Sequence, residues 1–107
     1  MAKKPEYNYK SLQTEYGKMP PQAVDLEEAI LGSLMLEKDA FITVSDFLKP
    51  ECFYKEAHQK IYRGIQNLSL NNEPVDILTV SEEMKRLGEL EEIGGYYYLA
   101  QLTSKVA

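Results

Sequence analysis

The chain has 107 residues, 44% of them hydrophobic and 27% charged, with a formal net charge of −5 and a single cysteine, Cys52. That length suits one small domain, and one cysteine excludes an internal disulfide and a multi-cysteine zinc site. The acidic balance argues against a surface that grips phosphates non-specifically, and no apolar run approaches the roughly 20 residues of a membrane span. No signal peptide opens the sequence, so a cytoplasmic location is expected.

Residues 1–18 hold four lysines and two glutamates, which leaves −7 on residues 19–107. Beyond Met1 and Ala2, the only aliphatic side chain in this first segment is Leu12. So little apolar area does not offset the entropy of ordering, and a flexible N-terminal tail over 1–18 is expected. The alternative is a docking peptide that uses Tyr7, Tyr9 and Tyr16.

Pro20 and Pro21 end that tail and pre-set the backbone for a helix. The run QAVDLEEAILGSLMLEK reads as helical, with Ala23, Leu26, Ile30 and Leu34 on one stripe widened by Leu31 and Met35. Asp25, Glu27 and Glu28 sit in its early turns, facing the positive end of the helix dipole. Gly32 costs a helix about 1 kcal/mol relative to alanine, which points to a close helix crossing or else to a surface accident. Asp39 is expected to N-cap a short helix through Ala40, Phe41, Ile42, Val44 and Leu48, although its β-branched residues also suit a strand.

The stretch Phe53 to Leu70, FYKEAHQKIYRGIQNLSL, is expected to be the central helix. Tyr54, Ala57, Ile61, Tyr62, Ile65 and Leu68 recur at helical spacing on one side, and Glu56 and Lys60 stand at i,i+4 with the acid first. Pro50 marks its entry and Asn71-Asn72-Glu73-Pro74 its exit. Asp76 then caps ILTVSEEMKRLG, with Thr79 three residues on. Leu78, Val80, Met84 and Leu87 are its expected buried positions, and Glu82 its expected partner for Lys85 or Arg86. Gly88 suits the left-handed position after the last turn, over which Leu90 folds back. Gly94-Gly95 opens a last helix, YYYLAQLTSKVA, with Tyr98, Leu99, Leu102 and Val106 inward and Tyr97 and Gln101 outward. No segment has a period of two, so the fold class is all-α, a compact bundle of about five to six short helices around the helix near 53–70.

Residues able to do chemistry are sparse. His58, the only histidine, flanks the core without a neighbouring ligand and reads as a hydrogen-bonding core-edge residue. Glu27/Glu28, Glu82/Glu83 and Glu91/Glu92 are neighbours that do not face each other on a helix, and read as solvated faces. Cys52 reads as a buried or half-buried thiol. No G-x-x-x-x-G-K-[ST] occurs. Catalytic, cofactor-binding and metal-ligating residues are therefore expected to number none, and the fragment itself is not expected to be an enzyme.

One ordered set of residues carries more. Pro20-Pro21, Glu27-Glu28-Ala29-Ile30-Leu31-Gly32-Ser33-Leu34, Phe53-Tyr54, His58, Ile61-Tyr62, Pro74-Val75-Asp76, Thr79, Glu83, Gly88, Leu90, Gly94-Gly95 and Tyr98-Leu99 follow one another. Their order and spacing resemble the N-terminal domain of bacterial replicative DNA helicases of the DnaB type, from about Pro20 to Leu102. Cys52 departs from that pattern, standing where an acidic residue is common. The resemblance implies a helical head domain over 19–107, with the helical hairpin and the ATPase domain that follow it in the family absent from this sequence. It also implies a hexameric parent that unwinds duplex DNA with ATP hydrolysis, ATP and magnesium being bound in that missing C-terminal domain. Its N-terminal domains would contact primase, neighbouring helicase subunits and, in some systems, the helicase loader.

The expected role is thus a protein-interaction and assembly module. The alternative is a nucleic-acid-binding helical module, against which residues 19–107 carry eight Lys/Arg and fifteen Asp/Glu. Three consecutive tyrosines cannot all face inward at 100° per residue. The candidate interaction surface is therefore Glu91, Glu92, Tyr96, Tyr97 and Gln101, with Tyr97 either at a partner contact or against the missing hairpin.

Overall fold

The computed structural model describes residues 21–107, and the expected tail over 1–18 lies outside the described residues. Within them the chain forms five α-helices and one 3-10 turn, with no strand. These are α1 (Pro21–Leu36), α2 (Ala40–Val44), the 3-10 turn Pro50–Cys52, α3 (Glu56–Leu70), α4 (Ile77–Arg86) and α5 (Gly95–Val106). The all-α class and the number of helices agree with the sequence reading.

Local signals set most of the boundaries. The Asp76 carboxylate accepts from Thr79 N at 2.8 Å while Asp76 N donates to the Thr79 hydroxyl at 3.0 Å, a reciprocal cap that starts α4. Gly88, at φ 74°, ends it, with Glu89 N donating to Met84 O and Gly88 N to Lys85 O. Asn72, at φ 57°, closes α3 in the same way, through Glu73 N to Leu68 O and Asn72 N to Ser69 O.

The central helix starts later than expected, at Glu56 rather than Phe53. Phe53 is extended, at φ −91° and ψ 136°, because the Pro50–Cys52 turn delivers its ring directly into the core. There it meets Tyr62 at 5.3 Å between ring centroids, and the Tyr62 hydroxyl donates to Leu48 O at 2.6 Å. Asp39 stands at the N-cap position of α2, as expected, but does not cap it with its side chain. It sits at φ 68° with no capping hydrogen bond from its side chain, and α2 ends at Val44 without a buried residue.

The core is Leu31, Leu34, Met35, Phe53, Ile61, Tyr62, Ile65, Leu68, Val80, Met84, Ile93, Leu99 and Leu102. Helix α3 supplies more of it than any other element, so its central role holds. The phase of α1 does not. Leu26 is 55% exposed and Ile30 only partly buried, while Glu27 faces the interior. In α4, Leu78 and Leu87 are exposed and Ser81 and Glu83 are buried, and in α5 Val106 is exposed. Asp25 and the two glutamates lie beyond the first turn of α1, past the reach of the dipole effect expected for them.

The crossing expected at Gly32 is real. A Cβ there would stand 2.1 Å from the backbone oxygen of Leu102 and 3.1 Å from a Val106 methyl, so α1 and α5 meet backbone to backbone. Gly32→Ala should therefore destabilise by at least about 2 kcal/mol, even though alanine is the better helix former. Ile61→Ala should cost about 2–5 kcal/mol by opening a cavity on α3. Both are read from urea denaturation midpoints at constant slope.

Candidate protein-interaction surface

The candidate surface is built on the α4–α5 connection. Gly94 and Gly95 stand at φ 109° and 74°, a pair of left-handed residues that reverses the chain after Leu90. Gly95 N donates to Leu90 O at 2.8 Å, and Ile93 between them is buried. The turn thereby fixes the start of α5 and leaves Tyr96, at 52%, and Tyr97, at 73%, exposed to solvent.

Tyr98, the next residue, turns inward and explains the orientation of the other two. Its ring stacks on His58 at 5.9 Å and 9° between planes, and its hydroxyl lies 2.6 Å from His58 Nε2. The other ring nitrogen, Nδ1, lies 2.6 Å from Glu27 Oε1. Glu27 also accepts Tyr54 N at 2.5 Å and, more weakly, Lys55 N at 3.4 Å. A carboxylate is an acceptor only, so Nδ1 carries the hydrogen toward Glu27, while the Tyr98 hydroxyl sits at Nε2 and also reaches Glu28 Oε2 at 3.5 Å. His58 and Glu27 are both fully buried. The core-edge position expected of His58 and the solvated face expected of Glu27 are both corrected, because the two groups satisfy each other away from water. Glu83 is corrected likewise. It is buried, accepts from Asn67 at 3.1 Å and pairs with Arg86 at 2.6 Å, taking the partner expected for Glu82. The Arg86 hydrogen bond holds the Glu83 carboxyl below its ordinary range.

Burial first, and then the nearby Glu28 carboxylate, push the Tyr98 phenol far above its ordinary value of 10.0. Burial also pushes Tyr62 up to about 12. Tyr98 closes one side of a shallow depression on α5 that is lined by Glu28, Tyr97, Ala100, Gln101, Ser104 and Lys105 as well. Lys105 bridges back to α1, 2.6 Å from Glu28 and 3.4 Å from Asp25.

Of the five residues expected to form the surface, Tyr97 and Gln101 share this depression. Tyr96 is exposed outside it, and Glu91 and Glu92 lie on the preceding turn. Glu92 pairs with Lys60 of α3, which joins the turn to the central helix. Glu28 and Lys105 went unrecognised in the sequence. The signal for Lys105 was present, since Tyr97, Gln101 and Lys105 recur every four residues along one helix face. Among the described residues, no group of three or more His, Cys, Asp or Glu is arranged to hold a metal ion, and no helix is long and apolar enough to cross a membrane.

The family model described as "DnaB-like helicase N terminal domain" matches residues 19–107. The chain belongs to the DnaB-like helicase N-terminal domain family. It is similar to the replicative DNA helicase DnaB of Rhodothermus marinus, 46% identical over 91% of this chain and 10% of that protein. It is also similar to the replicative DNA helicase DnaB of Geobacillus stearothermophilus, 42% identical over 83% of this chain and 20% of that protein. The chain thus spans a tenth to a fifth of the length of these helicases. The crystal structure of the N-terminal domain of DnaB helicase from Mycobacterium tuberculosis matches with a TM-score of 0.73 at 42% identity, over 79% of this chain and 60% of that one. All five expected surface residues of this DnaB-like domain fall inside the matched region.

Two measurements check the buried network of this DnaB-like domain. Glu27→Ala should cost about 3–5 kcal/mol, because it strands His58 and two backbone N–H groups without an acceptor. Tyr98→Phe, which removes only the hydroxyl, should cost about 1–2 kcal/mol. Stability should also fall in alkali. Both buried phenols have raised values, so their contribution is complete below the unfolded value of about 10 and is lost as pH rises toward the folded value near 12 for Tyr62. Denaturation midpoints between pH 8 and 11.5 should decline only above about pH 10, with a shallower decline in Tyr62→Phe.

Proposed function

We propose that this domain is the protein-interaction and assembly module of a replicative DNA helicase, and that it meets primase through the outer face of α5. The whole protein would be a hexamer that unwinds duplex DNA with ATP hydrolysis. ATP and magnesium would be held in a C-terminal domain, since this sequence contains no phosphate-binding loop of the G-x-x-x-x-G-K-[ST] type. The single observation that carries the reading is Tyr97. It is 73% exposed beside the anchored Tyr98, with Gln101 and the Glu28–Lys105 pair around it.

An exposed tyrosine held on a rigid helix covers apolar area at low entropic cost and keeps a hydroxyl for hydrogen bonding. Glu91 and Gln101 supply a polar rim. Neighbouring subunits and the helicase loader are the other partners proposed for the domain. A protein partner suits the face better than nucleic acid, because the charge of −7 over residues 19–107 repels phosphate.

The test is to titrate the whole helicase, carrying Tyr97→Ala, with the C-terminal domain of its primase. Binding should weaken about tenfold, or about 1.4 kcal/mol, with the hexamer intact by sedimentation. Unchanged affinity removes Tyr97 from the primase surface, and loss of the hexamer places it at a subunit contact instead. The 107-residue chain alone should neither hydrolyse ATP nor bind DNA at physiological salt. A salt-sensitive micromolar affinity for DNA would reverse the assignment.

A further inference from the structure

Helix α1 is apolar on two faces. Leu31, Leu34 and Met35 are buried in the core. Leu26, Ala29 and Ile30 instead line a groove whose opposite wall is Ala40, Thr43 and Val44 of α2. Leu26 is 55% exposed and α2 has no buried residue, so the groove is open along its length. A helix that is apolar over so wide an arc is usually covered on both faces.

The charges beside the groove say what covers it. Glu37 and Asp39 lie at one end of it, together with Lys38. Among the described residues neither acid forms an ion pair. Lys38 offsets one of the two, which leaves the lining net negative, and a second copy would bring that same negative lining and a chain of net charge −5 against it. We propose that this groove receives an amphipathic helix from a partner protein, its apolar side seated along Leu26, Ile30 and Val44 and its flanks basic. Leucine-type anchors at i, i+3 and i+4 would fill the apolar floor, and lysine or arginine beside them would meet Glu37 and Asp39. The surface is separate from Tyr97, so it stands or falls independently of the primase contact.

The test uses the full 107-residue chain, labelled with nitrogen-15, and two synthetic helical peptides with one shared leucine face, one flanked by lysines and the other by glutamates. The lysine peptide should shift amide signals confined to α1 and α2 and bind at least about tenfold more tightly than the glutamate peptide. Leu26→Ser, at an exposed site, should melt as the parent does and weaken that binding at least about fivefold. Glu37→Lys should narrow the preference between the peptides. Equal binding of the two, shifts spread over the whole acidic surface, or no binding of either at millimolar concentration overturns the proposal. A dimer abolished by Leu26→Ser overturns it in favour of a second copy. Nuclear Overhauser contacts from Tyr7, Tyr9 or Tyr16 to the Leu26 and Ile30 methyls in the free chain assign the groove to the N-terminal segment instead.

Discussion

The buried carboxylate of Glu27 is the constraint on which the arrangement of the other elements depends. It takes the backbone N–H of Tyr54 and of Lys55, which precede α3, and the Nδ1 hydrogen of His58 in the first turn of that helix. A charge held this far from water is tolerated only when several donors replace its hydration. Those donors come from one short stretch, so α1 is fixed in rotation and in height relative to the start of α3. Through His58 the constraint reaches Tyr98, and with it α5. Three helices that are distant in sequence are thereby registered by one buried polar chain.

Rotation of α1 about its axis is the feature most directly set by this chain. Turning Glu27 inward takes Leu31, Leu34 and Met35 to the core and Leu26 to the surface. It also presents Gly32 to α5, where only a residue without a Cβ admits the Leu102 carbonyl at van der Waals distance. The two devices reinforce each other. The glycine permits a close approach that apolar packing alone would not specify, and the Glu27–His58–Tyr98 chain selects the one rotation in which that approach occurs. Nonspecific apolar burial would tolerate several rotations, whereas a buried polar chain loses a partner in all but one.

That division explains what was legible in the sequence. The caps were readable because their chemistry is local: Asp76 with Thr79, Gly88 and Gly94-Gly95 each answer to residues a few positions away. The period of α3 was readable because its apolar face is continuous, from Ile61 to Leu68. Gly32 was readable as a crossing because its cost to a helix demands a return elsewhere. The rotation of α1 was not, because Leu26, Ile30 and Leu34 form an apolar stripe as regular as the true one, and the tie that decides between them comes from residue 58. The position of Glu83 was hidden for the same reason, its partners Asn67 and Arg86 being known only once α3 and α4 are side by side. At the surface, Tyr97 and Gln101 followed from helix geometry, while Glu28 became part of the depression only through the fold.

The exposed tyrosines of α5 then follow from the interior rather than from any property of the surface itself. With about 100° between successive residues, seating Tyr98 against His58 leaves Tyr97 no route inward. Gly94, just before α5, makes room for the inward Tyr98, since a Cβ there would stand 2.8 Å from the Tyr98 Cβ. The Tyr97 position is further supported from behind, since Lys105 and Glu28 hold the far end of α5 to α1. A side chain presented this way is oriented before any partner arrives, so ordering the helix beneath it is not charged against binding. The same buried chain that registers three helices therefore also determines which aromatic side chain the domain offers to the outside.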